Sequence, residues 1–257
     1  MSYEEKQQSW WVWFNWKINM KILCISDTHC KHNRLTIPEC DVLVFSGDMC
    51  SSGDLSQVSN FSNWLKKYED NFKKAFIIAG NHDKCFQNMK LAAIEELQVS
   101  DKIVYLEDSE FVYDGIKFYG SPWQPMFNNW AFNATRGEKL RTIWDNIPHD
   151  TNVLITHGPP HGIGDLVSNV HVGCIDLLTK VSNLPELFLH VFGHIHDGNG
   201  HRISEAIPNV NFCNAAICDE NYDTTNLAYE YTLTNTGCHN FIVCRELSLS
   251  TQTKYQY

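Results

Sequence analysis

Lys21-Ile22-Leu23-Cys24-Ile25-Ser26-Asp27-Thr28-His29 decides the fold of this chain. After Lys21 the stretch is an apolar run, and turn residues bound it. Such short runs suit a strand buried on both faces. A carboxylate and an imidazole follow at once, one residue apart. Strand and polar turn then recur. Residues 41–45 lead into Gly47-Asp48, and 75–79 into Gly80-Asn81-His82-Asp83. Residues 152–155 lead into Thr156-His157-Gly158, and 187–192 into Gly193-His194-Ile195-His196.

Helical periodicity fills the gaps between these strands. Leu55, Val58, Phe61, Leu65, Tyr68 and Phe72 recur at steps of three and four residues. Shorter patterns run over Leu140, Ile143, Trp144 and Ile147, and over Ile175, Leu178 and Val181. Alternating strands and helices predict an α/β layered fold. Further strands are expected over 210–213, 227–233 and 241–247. Residues 1–20, with Trp10, Trp11, Trp13, Phe14 and Trp16, form an aromatic-rich appendage. Residues 21–247 are read as one domain and 248–257 as a polar tail.

In open α/β sheets, ligands bind at the carboxyl ends of strands, where all five polar turns lie. Asp27 and Asp48 are hard anionic oxygen donors, Asn81 a neutral oxygen donor, and His29, His157, His194 and His196 nitrogen donors. Such a mixed set suits Mn, Fe, Zn, Ni or Co, and the lack of thiolate argues against a structural zinc knot. A carboxylate shared by two ions holds them about 3.5–4 Å apart, the spacing that clamps an in-line displacement at phosphorus. Each fragment alone is weak, since Asp-x-His and Gly-Asp are common in turns. All five on strand ends, in this order, point to a two-metal centre.

The chain has 257 residues, 43% of them hydrophobic, enough for one large core. With Lys+Arg 20 and Asp+Glu 30 the formal charge is 20 − 30 = −10. An extended nucleic-acid groove needs many Lys and Arg contacts, so this balance weighs against one. It leaves room for a small anionic substrate, because bound cations reverse the local sign. MSYEEKQQ shows no cationic start followed by an apolar stretch, and the 10 cysteines include no C-x-x-C pair. These features predict a cytoplasmic protein with reduced thiols. The aromatic run from Trp10 to Trp16 is too short for a membrane span.

The ordered set of motifs resembles the calcineurin-like metallophosphoesterases, which carry D-x-H, G-D, G-N-H-[DE], a single H and G-H-x-H. Ser121-Pro122-Trp123-Gln124-Pro125, Asn129-Trp130-Ala131-Phe132-Asn133 with Arg136-Gly137, and Thr156-His157-Gly158-Pro159-Pro160 followed by Gly164-Asp165-Leu166 are similar to the metallophosphoesterase-domain-containing (UPF0046) group. The stretch 212–219 and Tyr222 continue that similarity. The resemblance implies a four-layer α-β-β-α sandwich and two divalent transition-metal ions, with manganese favoured. It implies that Asp27, His29 and His196 hold one ion, that Asp48 bridges, and that Asn81, His157 and His194 complete the other. His82 would stand over the phosphate, and a hydroxide bridging both ions would be the nucleophile. Protein Ser/Thr phosphatases of the superfamily continue the second motif as G-D-x-x-D-R-G. Here Ser51 and Ser52 replace that Asp and Arg, which counts against a protein phosphatase and leaves the orientation of His82 open.

The expected function is hydrolysis of small phosphodiesters or nucleotides, cyclic nucleotides among them. The alternatives are a phosphomonoesterase or a nucleotide-binding scaffold with weak turnover. Arg136 is a candidate for a further phosphate contact. Trp123, Phe127 and Trp130 are candidates for stacking a base.

Overall fold

The computed structural model describes residues 19–235 and 240–249. Most of the expected appendage and tail therefore lies outside the described residues. The chain opens β1 (Asn19–Ile25), β2 (Val42–Ser46), α1 (Leu55–Lys67), β3 (Lys74–Ile78), α2 (Lys84–Asn88), α3 (Lys90–Leu97) and β4 (Ile103–Tyr105). It continues β5 (Ser109–Tyr113), β6 (Ile116–Ser121), β7 (Gln124–Pro125), β8 (Asn133–Ala134), α4 (Glu138–Asp145), β9 (Val153–Thr156), β10 (Leu166–Val167) and β11 (Val170–His171). It ends α5 (Ile175–Val181), β12 (Leu189–Phe192), β13 (Gly200–Ser204), β14 (Ile207–Asn214), β15 (Ala228–Asn235) and β16 (Asn240–Leu247).

Two six-stranded sheets result, ordered β16-β15-β1-β2-β3-β4 and β13-β14-β12-β9-β6-β5. In the first, β1, β2, β3 and β4 run parallel, and in the second, β6, β9, β12 and β14 do. The period of two along each strand sends alternate side chains to opposite faces. Ile22 and Cys24 of β1 join Val42, Val44, Phe76 and Ile78 in a core shared with Phe118, Val153, Ile155 and Val191 of the second sheet. Leu23, Ile25, Leu43 and Phe45 face the other way, onto Val58, Phe61, Trp64 and Leu65 of α1. Leu154, Phe192 and Phe212 meet Leu140 and Trp144 of α4 and Leu177 and Val181 of α5. Helices, two sheets and helices make the expected four layers.

Helix α1 stops short of the expected pattern. Tyr68 N–H turns back to the Leu65 carbonyl at 2.9 Å, and Phe72 is extended. Phe72 still fills the same core, so its periodicity reports burial rather than helix. Among the described residues, no helix is long and apolar enough to cross a membrane.

The parallel strands bring their carboxyl ends to one edge, where cross-sheet hydrogen bonds tie the turns together. His157 Nδ1 donates to the Ser46 carbonyl at 2.9 Å, joining the turn after β9 to β2. His194 N–H reaches both oxygens of Asp27 at 3.1 Å, joining the turn after β12 to that after β1.

Candidate metal centre

The turns that carry the candidate ligands are strained. Asp27, His29, Asp48 and His194 have φ of 51°, 41°, 58° and 66°. For residues with a Cβ the left-handed region costs about 1–2 kcal/mol each. Two glycines make the crowding possible. A Cβ on Gly80 would stand 2.3 Å from Asp48 Oδ1, and one on Gly193 would stand 2.0 Å from Asp27 Oδ2.

Asp27, His29 and His196 converge, with one ligand atom of each within 4.8 Å of the others. His196 Nδ1 donates to the Asp219 carbonyl at 2.9 Å. A carbonyl only accepts, so a neutral His196 presents its Nε2 lone pair to the site. That atom lies 3.5 Å from Asp27 Oδ1 and 3.2 Å from His29 Nε2. His29 Nε2 is 3.7 Å from Asp48 Oδ2. His29 Nδ1 is buried without a hydrogen-bond partner among the described residues.

Asp48, His157 and His194 converge in the same way. His157 Nδ1 is committed to Ser46, which turns Nε2 toward Asp48 Oδ2 at 3.4 Å and Asn81 Oδ1 at 2.9 Å. Asp48 lies between the clusters. Its Oδ1 accepts from His82 N–H at 2.8 Å, while Oδ2 faces both His29 and His157. Lone pairs facing lone pairs in a buried site require positive charge between them. Ligand atoms about 2.1 Å from a cation stand about 3.0–3.4 Å apart, close to the separations here. The donor set therefore fits divalent cations.

Protons supply that charge when cations do not. Burial alone would lower the His157 pKa, but the Asp48 carboxylate outweighs it and lifts it to about 9. Burial opposes ionisation of Asp48, yet His157 and His29 hold it well below the usual carboxylate range. Burial likewise opposes the charge on His196, and Asp27 overcomes it, so His196 is raised. His29 and His194 are pressed down by burial, to about 4 and about 3.

His82 stands beside this cluster, its ring 4.7 Å from that of His29. It also falls in a third convergent group with His29 and Asp48. Its Nδ1 donates to the Ser51 carbonyl at 2.8 Å, and its ring stacks on Trp130 at 4.0 Å. Lys84 Nζ lies 4.3 Å from the Trp130 ring centroid. The orientation left open by the missing Asp is thus supplied by the main chain of the residue that replaced it.

Asp83 was legible only as part of a motif. It is fully buried and accepts from the N–H groups of Asp48, Cys50 and Gly80, each at 2.8 Å. One carboxylate thereby fastens the turn after β2 to the turn after β3. Burial, and then the Asp48 charge, raise its pKa to about 6.

A cavity of about 220 Å³ opens over the cluster, lined by His29, Asp48, Asn81, His82, His194 and His196 together with Phe127, Asp197, Glu220 and Tyr222. Tyr222 meets the rings of His29 and His196 edge-on at 4.8 and 5.2 Å. Its place on a surface loop gave no sequence signal beyond family similarity. Arg136 and Trp123 are not brought to this cavity. Arg136 donates to the carbonyls of Gly173 and Val172. The Trp123 indole N–H donates to Asp108 at 2.8 Å and its ring abuts Phe132, so the tryptophan serves packing.

The family model of calcineurin-like phosphoesterases matches residues 20–198. Metallophosphoesterase domain-containing protein 1 of Homo sapiens is 36% identical over 228 residues, covering 80% of this chain and 68% of that protein. UPF0046 protein T07D4.2 of Caenorhabditis elegans is 34% identical, covering 81% of this chain and 58% of its own length. A dimetal phosphatase from Danio rerio shares the fold with a TM-score of 0.52 at 9% identity, over 87% of this chain and 98% of that one.

Two outcomes are expected. Divalent cations must displace the proton that His157 holds below about pH 9. Cation uptake at pH 7 should therefore release protons, and affinity should rise with pH until His157 is neutral. Calorimetry in buffers of different ionisation enthalpy reads this directly. Asp83→Ala strands three buried N–H groups, each costing about 1–3 kcal/mol. It should lower unfolding stability by about 3 kcal/mol or more in urea titrations and weaken cation uptake.

Proposed function

The chain belongs to the calcineurin-like phosphoesterase family of hydrolases, and from that membership we propose that it is a dinuclear metal-dependent phosphodiesterase acting on small diesters, cyclic nucleotides among them. Residues 21–247 form the catalytic domain in this reading. Asp27, His29 and His196 hold one cation, Asn81, His157 and His194 the other, and Asp48 serves both. Manganese is the proposed metal, since carboxylate and imidazole donors without thiolate suit it. When bound, the cations supply positive charge at the phosphoryl oxygens and a nucleophile at neutral pH. The observation that carries the proposal is the position of Asp48, whose one carboxylate faces imidazoles of both clusters.

The cavity wall supports a diester over a monoester. Asp197 and Glu220 line it, and no Lys or Arg does among the described residues. Among the described residues a monoester dianion would meet no Lys or Arg on this wall beyond the metals, whereas a diester carries a single negative charge. His82 completes the chemistry. With Nδ1–H held by Ser51, Nε2 is the ring nitrogen left to face the cavity, where a proton carried on it could pass to the departing oxygen. A cytoplasmic setting fits the nine described cysteines, all free thiols.

Two measurements test this. With Mn²⁺ at fixed pH, kcat/KM on bis-p-nitrophenyl phosphate and cyclic nucleotides should exceed that on matched monoesters. A tenfold preference for monoesters, about 1.4 kcal/mol in the transition state, would replace the diesterase by a monoesterase. His82→Ala should keep both cations by elemental analysis yet lose about 10²–10⁴-fold in turnover on poor leaving groups. The loss should shrink with p-nitrophenolate, and an equal loss on both would remove the acid role.

A further inference from the structure

A second cavity, of about 330 Å³, adjoins the candidate metal centre and differs from it in chemistry. Met126, Phe127, Pro159, Val167, Val172 and Ile195 form its apolar wall. Arg136 is the one cationic side chain on that wall among the described residues. Phe127, Val167, His194 and Ile195 line both cavities, so the two adjoin, with a candidate metal ligand on the wall between them.

The walls are built to stay in place. Asn133 fastens one side, since its Oδ1 accepts from Phe127 N–H and its Nδ2 donates to the carbonyls of Phe127 and Asn128 at 3.2 and 2.9 Å. Asp165 fastens the other. This buried carboxylate accepts from the N–H groups of Gly162 and Gly173 at 2.9 Å and from His171 Nδ1 at 2.7 Å. Arg136 clips the same segment through the carbonyls of Val172 and Gly173. Met126 and Phe127 nevertheless remain 61% and 53% exposed. Apolar side chains held open to water beside a reactive centre mark a binding wall.

We propose that this cavity receives an uncharged aromatic arm of the substrate, with the phosphoryl group at the candidate metal centre and the ring between Phe127 and Val172. The substrate class is then a phosphoester bearing an aryl or heteroaromatic substituent rather than a glycerol, an amine or a peptide. A cationic arm would find no carboxylate on the wall among the described residues, and the guanidinium of Arg136 would repel it. A neutral ring gains apolar contact and can set an acceptor edge toward Arg136. This rests on the phosphoester reading above but not on the choice of diester over monoester.

The test is binding, with turnover run beside it. Phenylphosphonate and methylphosphonate are titrated calorimetrically into the Mn²⁺-loaded full chain, at a pH where both are dianions. Single methylenes in apolar pockets discriminate by about 10–200-fold, so phenylphosphonate should bind at least tenfold tighter. Val172→Asp and Phe127→Ala should each draw that ratio toward one. Phe127→Ala truncates an exposed side chain, so it keeps the test decisive if Val172→Asp misfolds. Equal binding of the two phosphonates, or a preference that survives the variants, overturns the proposal. Methyl and phenyl p-nitrophenyl phosphate share a leaving group and report on the diesterase reading separately. Absent turnover of both, with the phosphonate preference intact, sinks that reading and leaves the aromatic site standing.

Discussion

Everything at the carboxyl edge of the two sheets answers to one constraint: buried lone pairs that face one another. His157 and His196 each spend Nδ1 on a backbone carbonyl, and so each turns Nε2 toward carboxylate oxygen. Without positive charge between them, these acceptors would be uncompensated in a dry site. Protons satisfy the arrangement in part, which is why His157 is so basic. The parallel strands, the crowded glycines and the left-handed turns all serve to bring these acceptors to one place, where the proposed cations would lie between them.

The legible parts of the chain are those where one residue type has one physical use. β1, β2, β3, β9 and β12 are buried on both faces, so each shows as an apolar run with a motif at its end. β5 alternates between half-buried and exposed positions, and β13 is nowhere fully buried, so neither stands out from loop sequence. Phe72 keeps helical spacing while lying outside the helix, because the core selects for burial and not for conformation. Within the site, the candidate ligands are legible as motifs, whereas their supports are not. Asp83 holds two turns through main-chain N–H groups, and Ser51 orients His82 through its carbonyl. Backbone atoms carry no residue signature. Trp123 shows the converse: its aromatic character suggests a ligand, while the neighbours the fold gives it are Asp108 and Phe132.

Charge is partitioned within the mouth of the site. The chain carries −10 overall, and Asp197 and Glu220 add acid at the rim of the polar cavity. An anion is then attracted only where cations are bound, and the field falls off within about a Debye length. Binding energy beyond the phosphoryl group must come from elsewhere. In the proposed aromatic site the apolar wall across His194 would supply a different source, non-directional and not screened by salt as charges are. A site divided in the proposed way would separate the chemistry, which needs charge, from the discrimination among substrates, which would draw on shape and apolar area.

Strain and cation binding are coupled by the same geometry. Asp27, His29, Asp48 and His194 occupy left-handed backbone that would relax if the turns were released. What restrains them is partly internal, through Asp83, the Gly80 approach and the His194 N–H bonds to Asp27. The remainder would fall to the proposed cations, since a pair sharing Asp48 and drawing its other ligands from the remaining four turns would tie all five turns to one another. Ligation free energy is then also folding free energy for the edge of the sheets. The internal restraints keep the donors close to their ligating positions beforehand, so less conformational freedom is lost when a cation enters.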